Sequence, residues 1–118
     1  LGIAYQLVSR TASADCISYA SLNPEIIATH TLLIHTSPVG TFPNVDEAPD
    51  LPYEAITSKH HLYDLVYNPS LTAFLQKGVQ AGARIKNGEE MLQLQAEESW
   101  KIWNQWPPWA FGAKHWQP

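Results

Sequence analysis

The sequence predicts an α/β fold in which a mostly parallel sheet is flanked by helices. Short apolar runs that end in turn-forming residues are typical of buried strands, and segments with apolar residues at helical spacing stand between them. Strands that alternate with helices form βαβ units, whose connections place the strands in parallel. The composition, with 45% hydrophobic and 15% charged residues among 118, fits one globular domain built in this way.

The first half of the chain is predicted to contain three strands, one short helix and a loop. Asn23 is a good N-cap and Pro24 suits the first position of a helix, so a helix should begin there. The strand that follows it is apolar through Ile34 and is stopped by Ser37 and Pro38. The predicted elements are the strands "AYQLVS" (4–9), "CISYASL" (16–22) and "TLLIHTSPVG" (31–40), the helix "NPEIIATH" (23–30), and a solvated loop over 41–54 with three prolines and four acids.

The stretch "YDLVYNP", residues 63–69, begins as an apolar strand and closes abruptly. Pro69 cannot donate a backbone hydrogen bond to a sheet, and Asn68 tolerates turn geometry, so the strand should end here. Tyr67 is then expected at the carboxyl edge of the strand, where open α/β sheets bind their ligands. The pattern predicts a binding site at this edge without naming its ligand.

The stretch "SLTAFLQKGVQAGA" has the apolar spacing of an amphipathic helix. Ser70 is its expected N-cap, and Gly82 is expected at its end, where helices often need a positive φ angle. The predicted buried stripe of this helix consists of Leu71, Phe74, Leu75 and Val79.

Two further elements and a tail follow. The stretch "ARIK" is a predicted short strand closed by Asn87 and Gly88, and "EEMLQLQAEESWKIW" is the clearest helix in the sequence because glutamates stand in its first turn. The residues along one of its faces are Leu92, Ala96, Trp100 and Trp103. The tail is rich in Trp and Pro, and Pro107 with Pro108 excludes helix at that point.

Composition and spacing exclude several classes of function. A net charge of −4 and a pI near 5.6 argue against nucleic-acid binding, which needs clustered Lys and Arg. No apolar run approaches the roughly 20 residues that cross a bilayer. The single cysteine, Cys16, excludes an internal disulfide and favours a reducing, cytoplasmic setting; we expect it to be a packing residue. His60 and His61 should point to opposite faces of an extended chain, so we expect no metal site.

Polar residues follow three of the predicted strands and open the last helix. They stand in "SRT" (9–11), "HTSPVG" (35–40), "VYNP" (66–69) and "NGEEMLQLQ" (87–95). In this order and spacing they resemble the cofactor domain of shikimate dehydrogenase, whose motifs include Asp-x-x-Tyr-x-Pro and Gly-x-x-Met-Leu-x-x-Gln. The resemblance covers residues 1–104 and implies a Rossmann-type NADP-binding domain. The tail, residues 105–118, lies outside the resemblance.

The resemblance implies NADP as the cofactor. Arg10, with the hydroxyl groups of Ser9 and Thr11, would bind the 2′-phosphate of the adenosine, for which a planar guanidinium is well suited. The other implied cofactor residues would lie beside the ribose and the nicotinamide: Thr36, Ser37, Pro38, Leu65, Gly88 and Met91.

The resemblance also implies hydride transfer between NADPH and 3-dehydroshikimate, which gives shikimate for aromatic amino-acid (chorismate) biosynthesis. Tyr67 would bind the shikimate carboxylate, and Gln95 would bind its hydroxyl groups. His35 stands where the family usually has Asn. We expect it to make a structural hydrogen bond and not to act as a base, because we expect no nucleophile beside it.

Parts of the resembling protein have no counterpart in this sequence. The family takes its proton from a Lys-Asp pair in a separate N-terminal domain, so we assign no catalytic residue and expect the chain alone to be inactive. The first strand and its Gly-rich turn are also missing, which should leave two sheet edges free for the missing part or for a second copy in a homodimer. A first residue, Leu1, that is not Met indicates a piece of a longer protein. Two alternatives remain open: a quinate/shikimate dehydrogenase with a different substrate, and a noncatalytic module that binds a partner through its Trp-rich tail.

Overall fold

The computed structural model describes residues 2–105. Within this range the chain forms five strands, three α-helices and two short 3₁₀ turns. The strands are β1 (Leu7–Ser9), β2 (Cys16–Ser18), β3 (Leu32–His35), β4 (His61–Asp64) and β5 (Arg84–Lys86). The helices are α1 (Pro24–Thr29), α2 (Ala73–Gln80) and α3 (Glu89–Gln105), and the 3₁₀ turns are Tyr19–Ser21 and Tyr53–Ala55. The predicted α/β class is confirmed, although the strands are shorter than predicted.

The five strands form two parallel sheets. β1 pairs with β2, and β4 lies between β3 and β5 in a three-stranded sheet. Leu62 in β4 is in register with Leu33 of β3 and Ile85 of β5, so apolar residues of all three strands share one face. Among the described residues, β1 pairs only with β2 and β3 only with β4, so each sheet ends in an unpaired edge at these strands.

The hydrophobic core packs against the three-stranded sheet and α2. Its fully buried members are Ile27, Ile56, Leu62, Phe74 and Leu75. Gly78 of α2 faces β4, and a Cβ atom there would lie 2.8 Å from Cδ2 of Leu62. Since real Cβ atoms do not approach other atoms so closely, α2 lies this near to β4 because Gly78 has no side chain.

The start of α2 differs from the prediction. Its N-cap is Thr72, whose Oγ1 accepts the backbone N–H of Leu75 at 3.2 Å, and not Ser70. The Thr72 hydroxyl also donates to the buried carboxylate of Asp64 at 2.7 Å. Thr72 therefore has a partner that an exposed Ser70 lacks, and the helix begins two residues later than its sequence suggests.

The predicted buried stripe of α2 is half correct. Phe74 and Leu75 are buried as expected, but Leu71 and Val79 are 43% and 52% exposed. Leu71 precedes the helix, and the buried face runs through Gly78, the residue before Val79. The predicted helix end is confirmed, because Gly82 follows the C-cap with a φ angle of +80°.

The loop over 41–54 was predicted to be solvated, and this is wrong for its second half. Pro49 is buried, and Ala48, Leu51 and Tyr53 pack against the core. The Tyr53 hydroxyl donates to the carbonyl of Pro49, which satisfies its polar end. Proline and acid content marked this segment as a loop but did not show that its apolar residues contribute to the core.

The helix α3 begins a second compact unit, Glu89–Pro118, which follows the first unit, Leu1–Gly88. α3 is 17 residues long, with Glu89 and Glu90 in its first turn as predicted. The predicted face is exposed: Leu92, Trp100 and Trp103 are 45%, 67% and 59% accessible. Most of the tail, residues 106–118, lies outside the described range, so the predictions made for it stay predictions.

Candidate functional site

Two buried polar residues end neighbouring strands of the three-stranded sheet. His35 is the last residue of β3 and Asp64 is the last residue of β4, and the two are in register. Nδ1 of His35 lies 3.1 Å from Oδ1 of Asp64, and the side chains are 4% and 0% exposed. Since a carboxylate only accepts hydrogen bonds, Nδ1 carries the proton and donates it. The predicted structural hydrogen bond of His35 is thus present.

The Asp64 carboxylate has two further donors. Its Oδ2 accepts the hydroxyl of Thr72 at 2.7 Å, and its Oδ1 accepts the backbone N–H of Val66 at 3.0 Å. Every oxygen of this buried carboxylate is therefore hydrogen-bonded. Through these hydrogen bonds the Asp64 carboxylate connects the end of β3, the turn after β4 and the start of α2.

The second ring nitrogen of His35 bonds to a serine. Nε2 lies 2.5 Å from Oγ of Ser37, and in the tautomer that carries its proton on Nδ1 it accepts the Ser37 hydroxyl. The Ser37 oxygen also lies 3.4 Å from the backbone nitrogen of Val39, which donates to it. A serine hydroxyl thus stands beside His35, where no such group was expected from the sequence. The signal was present in the sequence, since Ser37 stands two residues from His35 just beyond the end of one strand.

The turn after β1 holds the residues predicted to bind the 2′-phosphate. The Ser9 hydroxyl donates to the carbonyl of Thr11 at 2.6 Å and accepts the backbone N–H of Thr11 at 3.2 Å. Arg10, between them, is exposed and forms no salt bridge with another described residue. The turn thus presents a guanidinium to solvent, while the Ser9 hydroxyl is already engaged.

Cys16, the first residue of β2, lies against the same turn. Its Sγ is 3.1 Å from Oγ of Ser13 and 3.4 Å from Oγ of Ser9. These hydroxyls, that of Ser13 first, lower the pKa of the Cys16 thiol because they stabilise the thiolate. Cys16 was predicted to be a packing residue, but it is half-buried and bonded to hydroxyls.

Leu65 and Tyr67 do not lie on a strand as predicted, because β4 ends at Asp64. The N–H of Leu65 still donates to the carbonyl of His35 at 3.1 Å, so the chain stays beside β3 for one more residue. Tyr67 lies in the turn beyond, 50% exposed. The early end follows from the Asp64 carboxylate, which accepts the Val66 N–H and turns the chain.

Gly88 lies where the end of β5 meets the turn after β4. A Cβ atom at Gly88 would stand 2.1 Å from the carbonyl oxygen of Leu65, and its N–H donates to Val66 at 3.4 Å. The resemblance implied that Gly88 leaves room for a nicotinamide. The structure gives another reason for glycine at this position, which is contact with the chain's own backbone.

The predicted site residues thus fall into three groups. Five follow the carboxyl ends of one sheet: Thr36, Ser37, Pro38, Leu65 and Gly88, with Tyr67 in the turn after β4. Ser9, Arg10 and Thr11 lie at the end of β1 in the other sheet. Met91 and Gln95 lie on α3, in the second compact unit, and their part in the site stays a prediction.

No group of three metal-binding side chains is found within residues 2–105, nor is any helix of that range long and apolar enough to cross a membrane.

Known proteins resemble this chain in both sequence and fold. No protein-family model matches this chain, but individual proteins do. A shikimate dehydrogenase (NADP⁺) of Ignicoccus hospitalis is 39% identical over 95 residues, which are 80% of this chain and 35% of that protein. One from Nostoc sp. is 42% identical over 83 residues, 69% of this chain and 29% of that protein. This chain is a relative of the shikimate dehydrogenases.

Solved structures agree with this relationship. A shikimate dehydrogenase in complex with NADP⁺ is 31% identical with a TM-score of 0.62, covering 65% of this chain and 27% of that one. A chorismate mutase/shikimate 5-dehydrogenase fusion protein from Clostridium acetobutylicum is 32% identical with a TM-score of 0.61, covering 76% and 32%. The Rossmann-like fold expected from the shikimate dehydrogenase motifs is confirmed. The chain spans about a third or less of the length of these relatives.

Proposed function

We propose that this chain is the NADP-binding part of a shikimate dehydrogenase-type oxidoreductase. The complete protein would interconvert 3-dehydroshikimate and shikimate by hydride transfer, in aromatic amino-acid biosynthesis. The observation that carries the proposal is the 39% identity over 95 residues to a protein named shikimate dehydrogenase (NADP⁺). The parallel strands support it, because open α/β sheets bind nucleotides at the carboxyl ends of their strands.

The residues after β1 fit the phosphate of NADP. Arg10 is exposed and has no carboxylate partner among the described residues, so its guanidinium can bind a phosphate without first breaking an ion pair. Thr11 adds a hydroxyl that no described residue binds. The sequence has no G-x-G-x-x-G turn to hold the pyrophosphate, so we propose that this part of the site comes from outside the chain. Bound NADPH would supply the hydride for reduction of 3-dehydroshikimate.

The substrate and the proton donor belong to the complete protein in this proposal. Tyr67 would bind the shikimate carboxylate with its exposed phenol, and Gln95 would bind hydroxyl groups of the substrate. A Lys-Asp pair of an N-terminal domain would supply the proton. The unpaired edges of β1 and β3 support the need for a further part, or for a second copy in a homodimer. We place this function in the cytoplasm, consistent with the single cysteine.

The cofactor assignment is tested by isothermal titration of the protein encoded by the complete reading frame with NADP⁺ and NAD⁺. We expect NADP⁺ to bind more tightly, and Arg10→Ala to weaken NADP⁺ binding by about 10- to 100-fold, the value of one charged hydrogen-bonding group. Affinity for NAD⁺ should not change. Arg84→Ala removes another exposed arginine, on β5, and is the matched control. Equal affinities for the two nucleotides, or an equal loss in the control, would contradict the assignment.

The reaction is tested on the protein encoded by the complete reading frame. Shikimate-dependent reduction of NADP⁺, followed by absorbance, should exceed the rate with quinate. Tyr67→Phe and Gln95→Ala should raise the Michaelis constant for shikimate and leave that for NADP⁺ unchanged. Faster turnover of quinate would mean that quinate and not shikimate is the preferred substrate. If neither compound is oxidised, the proposed reaction is overturned, but the conclusion from the NADP⁺ titration still holds.

A further inference from the structure

We propose that Ser37 is an activated nucleophile that accepts an acyl or phosphonyl group from small activated esters. This function goes beyond the proposed NADP binding, and no step of it needs a nucleotide. It rests on the continuous hydrogen-bond chain from Ser37 through His35 to Asp64. In this chain a hydroxyl, an imidazole and a carboxylate stand in the order that nucleophilic catalysis by serine requires.

The distances match those roles. A serine is activated when a base accepts its proton from hydrogen-bonding distance, and Oγ of Ser37 lies 2.5 Å from Nε2 of His35. The base in turn must be held in one tautomer by a third group, and Nδ1 of His35 lies 3.1 Å from Oδ1 of Asp64. Among residues 2–105, the side chain that lies at Nε2 of His35 is therefore that of Ser37.

The surroundings hold this arrangement rigid. The side chains of His35 and Asp64 are 4% and 0% exposed, and the His35 ring packs against Phe74 with 5.4 Å between ring centroids. Asp64 is fixed by the Thr72 hydroxyl as well as by His35. Ser37 differs from both, because it is only half-buried and lies in the loop after β3. The base and the carboxylate are thus shielded, while the nucleophile stands at the surface end of the chain of bonds.

The proposed step balances without a cofactor. Oγ of Ser37 forms a bond to the carbonyl carbon of an ester as its proton passes to Nε2 of His35, and the carbonyl oxygen takes the electron pair. Collapse of this intermediate breaks the bond to the leaving alcohol, which departs with the proton from the imidazolium. Water then attacks the Ser37 ester by the same route and releases the acid.

The site has few hydrogen-bond donors for the negatively charged carbonyl oxygen of the intermediate, and we expect this to limit the rate of ester hydrolysis. The N–H of Val39 donates to Oγ of Ser37 at 3.4 Å and would have to turn to the ester oxygen, and Pro38 has no N–H to offer. A single donor supplies less than the paired donors of efficient hydrolases, each worth about 100- to 1,000-fold in rate. We therefore expect covalent capture of activated reagents followed by slow release, and not rapid turnover of ordinary esters.

Labelling with a fluorophosphonate probe tests the proposal on the intact chain. The probe phosphonylates activated serines, and peptide mass spectrometry locates the adduct. We expect the adduct on Ser37. It should be absent in Ser37→Ala, and its rate should fall at least tenfold in His35→Asn, which replaces the base by a polar side chain that cannot accept the proton. Ser70→Ala, which removes an exposed serine after β4, should label at the parent rate.

The outcomes separate this role from a purely structural one. If the network only holds the loop after β3, the parent chain will show no adduct on Ser37, and this result needs no variant that could misfold. Equal labelling of the parent and His35→Asn would also overturn the proposal, provided that both unfold at the same urea concentration. If His35→Asn loses labelling and its NADP⁺ affinity is unchanged, the result supports the proposal that Ser37 is a nucleophile. It neither supports nor contradicts the proposed dehydrogenase function.

Discussion

The side chains of His35 and Asp64 share a hydrogen bond of 3.1 Å, although the two residues are 29 positions apart in the chain. They meet because β3 and β4 are parallel and in register, so both strands end at the same level. The carboxylate also accepts the hydroxyl of Thr72, the residue that caps α2. One buried carboxylate therefore fixes two strand ends and the start of a helix.

The first prediction concerns this carboxylate. Asp64→Asn places an amide nitrogen where an oxygen accepted a hydrogen bond, so at least one buried donor of its network is left unpaired. An unpaired buried polar group costs about 1–3 kcal/mol, more when a charged group is involved, and we expect about 3 kcal/mol less stability in urea unfolding. Asp46→Asn, at an exposed loop position, should change stability by less than about 0.5 kcal/mol. Similar losses in both variants would show that the network does not stabilise the fold.

The second prediction concerns the contact between α2 and β4. Alanine is favoured over glycine inside a helix by about 1 kcal/mol, but at Gly78 its Cβ would lie 2.8 Å from Leu62 and 3.1 Å from Ile85. Leu62 is 1% exposed, so its side chain would have to shift within the core to make room for the new Cβ atom. We therefore expect Gly78→Ala to lower the free energy of unfolding by about 1–3 kcal/mol. Gln80→Ala, on the exposed side of the same helix, should have little effect. A gain in stability at position 78 would mean that α2 can move away from the sheet without cost.

Features that depend on neighbouring residues were predictable from the sequence. α1 begins at Pro24, and its N-cap Asn23 accepts the Ile26 N–H at 2.9 Å, as the local chemistry indicated. The end of α2 at Gly82 was predictable for the same reason, since a positive φ angle there favours glycine. In both cases the deciding interaction spans fewer than five residues.

Features that depend on long-range contacts were not predictable in this way. By residue type Ser70 is at least as good a cap as Thr72, and the carboxylate of Asp64 favours Thr72. The bond between His35 and Asp64 could be anticipated only from the register of two strands, which local sequence does not determine. The misplaced start of α2 and the unforeseen bond of His35 thus share one cause, which is the Asp64 carboxylate.

The third prediction concerns alkaline pH. Burial, and then repulsion from nearby groups of which Tyr19 is the first, raises the pKa of Tyr53 well above its ordinary value of about 10. The unfolded chain therefore loses this proton at lower pH than the folded chain. The resulting stability is fully present below about pH 10 and is lost as the pH rises above it.

Tyr53→Phe tests this, because phenylalanine has no proton to lose. The variant should be less stable at pH 7 by about 1 kcal/mol, since the bond to the Pro49 carbonyl is lost. Between pH 10 and 11, however, it should lose up to about 1 kcal/mol less than the parent chain in urea unfolding. Tyr5→Phe, at a side chain 76% exposed, should follow the parent curve. Parallel curves for the parent and Tyr53→Phe above pH 10 would contradict the shifted pKa.

The fourth prediction concerns Cys16. Hydrogen bonds from the hydroxyls of Ser13 and Ser9 lower the pKa of this thiol, so a larger fraction is thiolate at a given pH than in a free cysteine. The rate of alkylation by iodoacetamide should therefore rise with pH around a midpoint below that of a cysteine peptide.

Ser13→Ala removes the largest of the effects on the Cys16 thiol and should move the alkylation midpoint of the chain to higher pH. Ser58→Ala, at another exposed serine, is the matched control and should leave the midpoint in place. If Ser13→Ala and the control give the same midpoint as the parent, the hydroxyl of Ser13 does not stabilise the thiolate. A midpoint that moves only when Ser9 is replaced would assign the effect to the turn after β1, and so to the residues proposed to bind the 2′-phosphate.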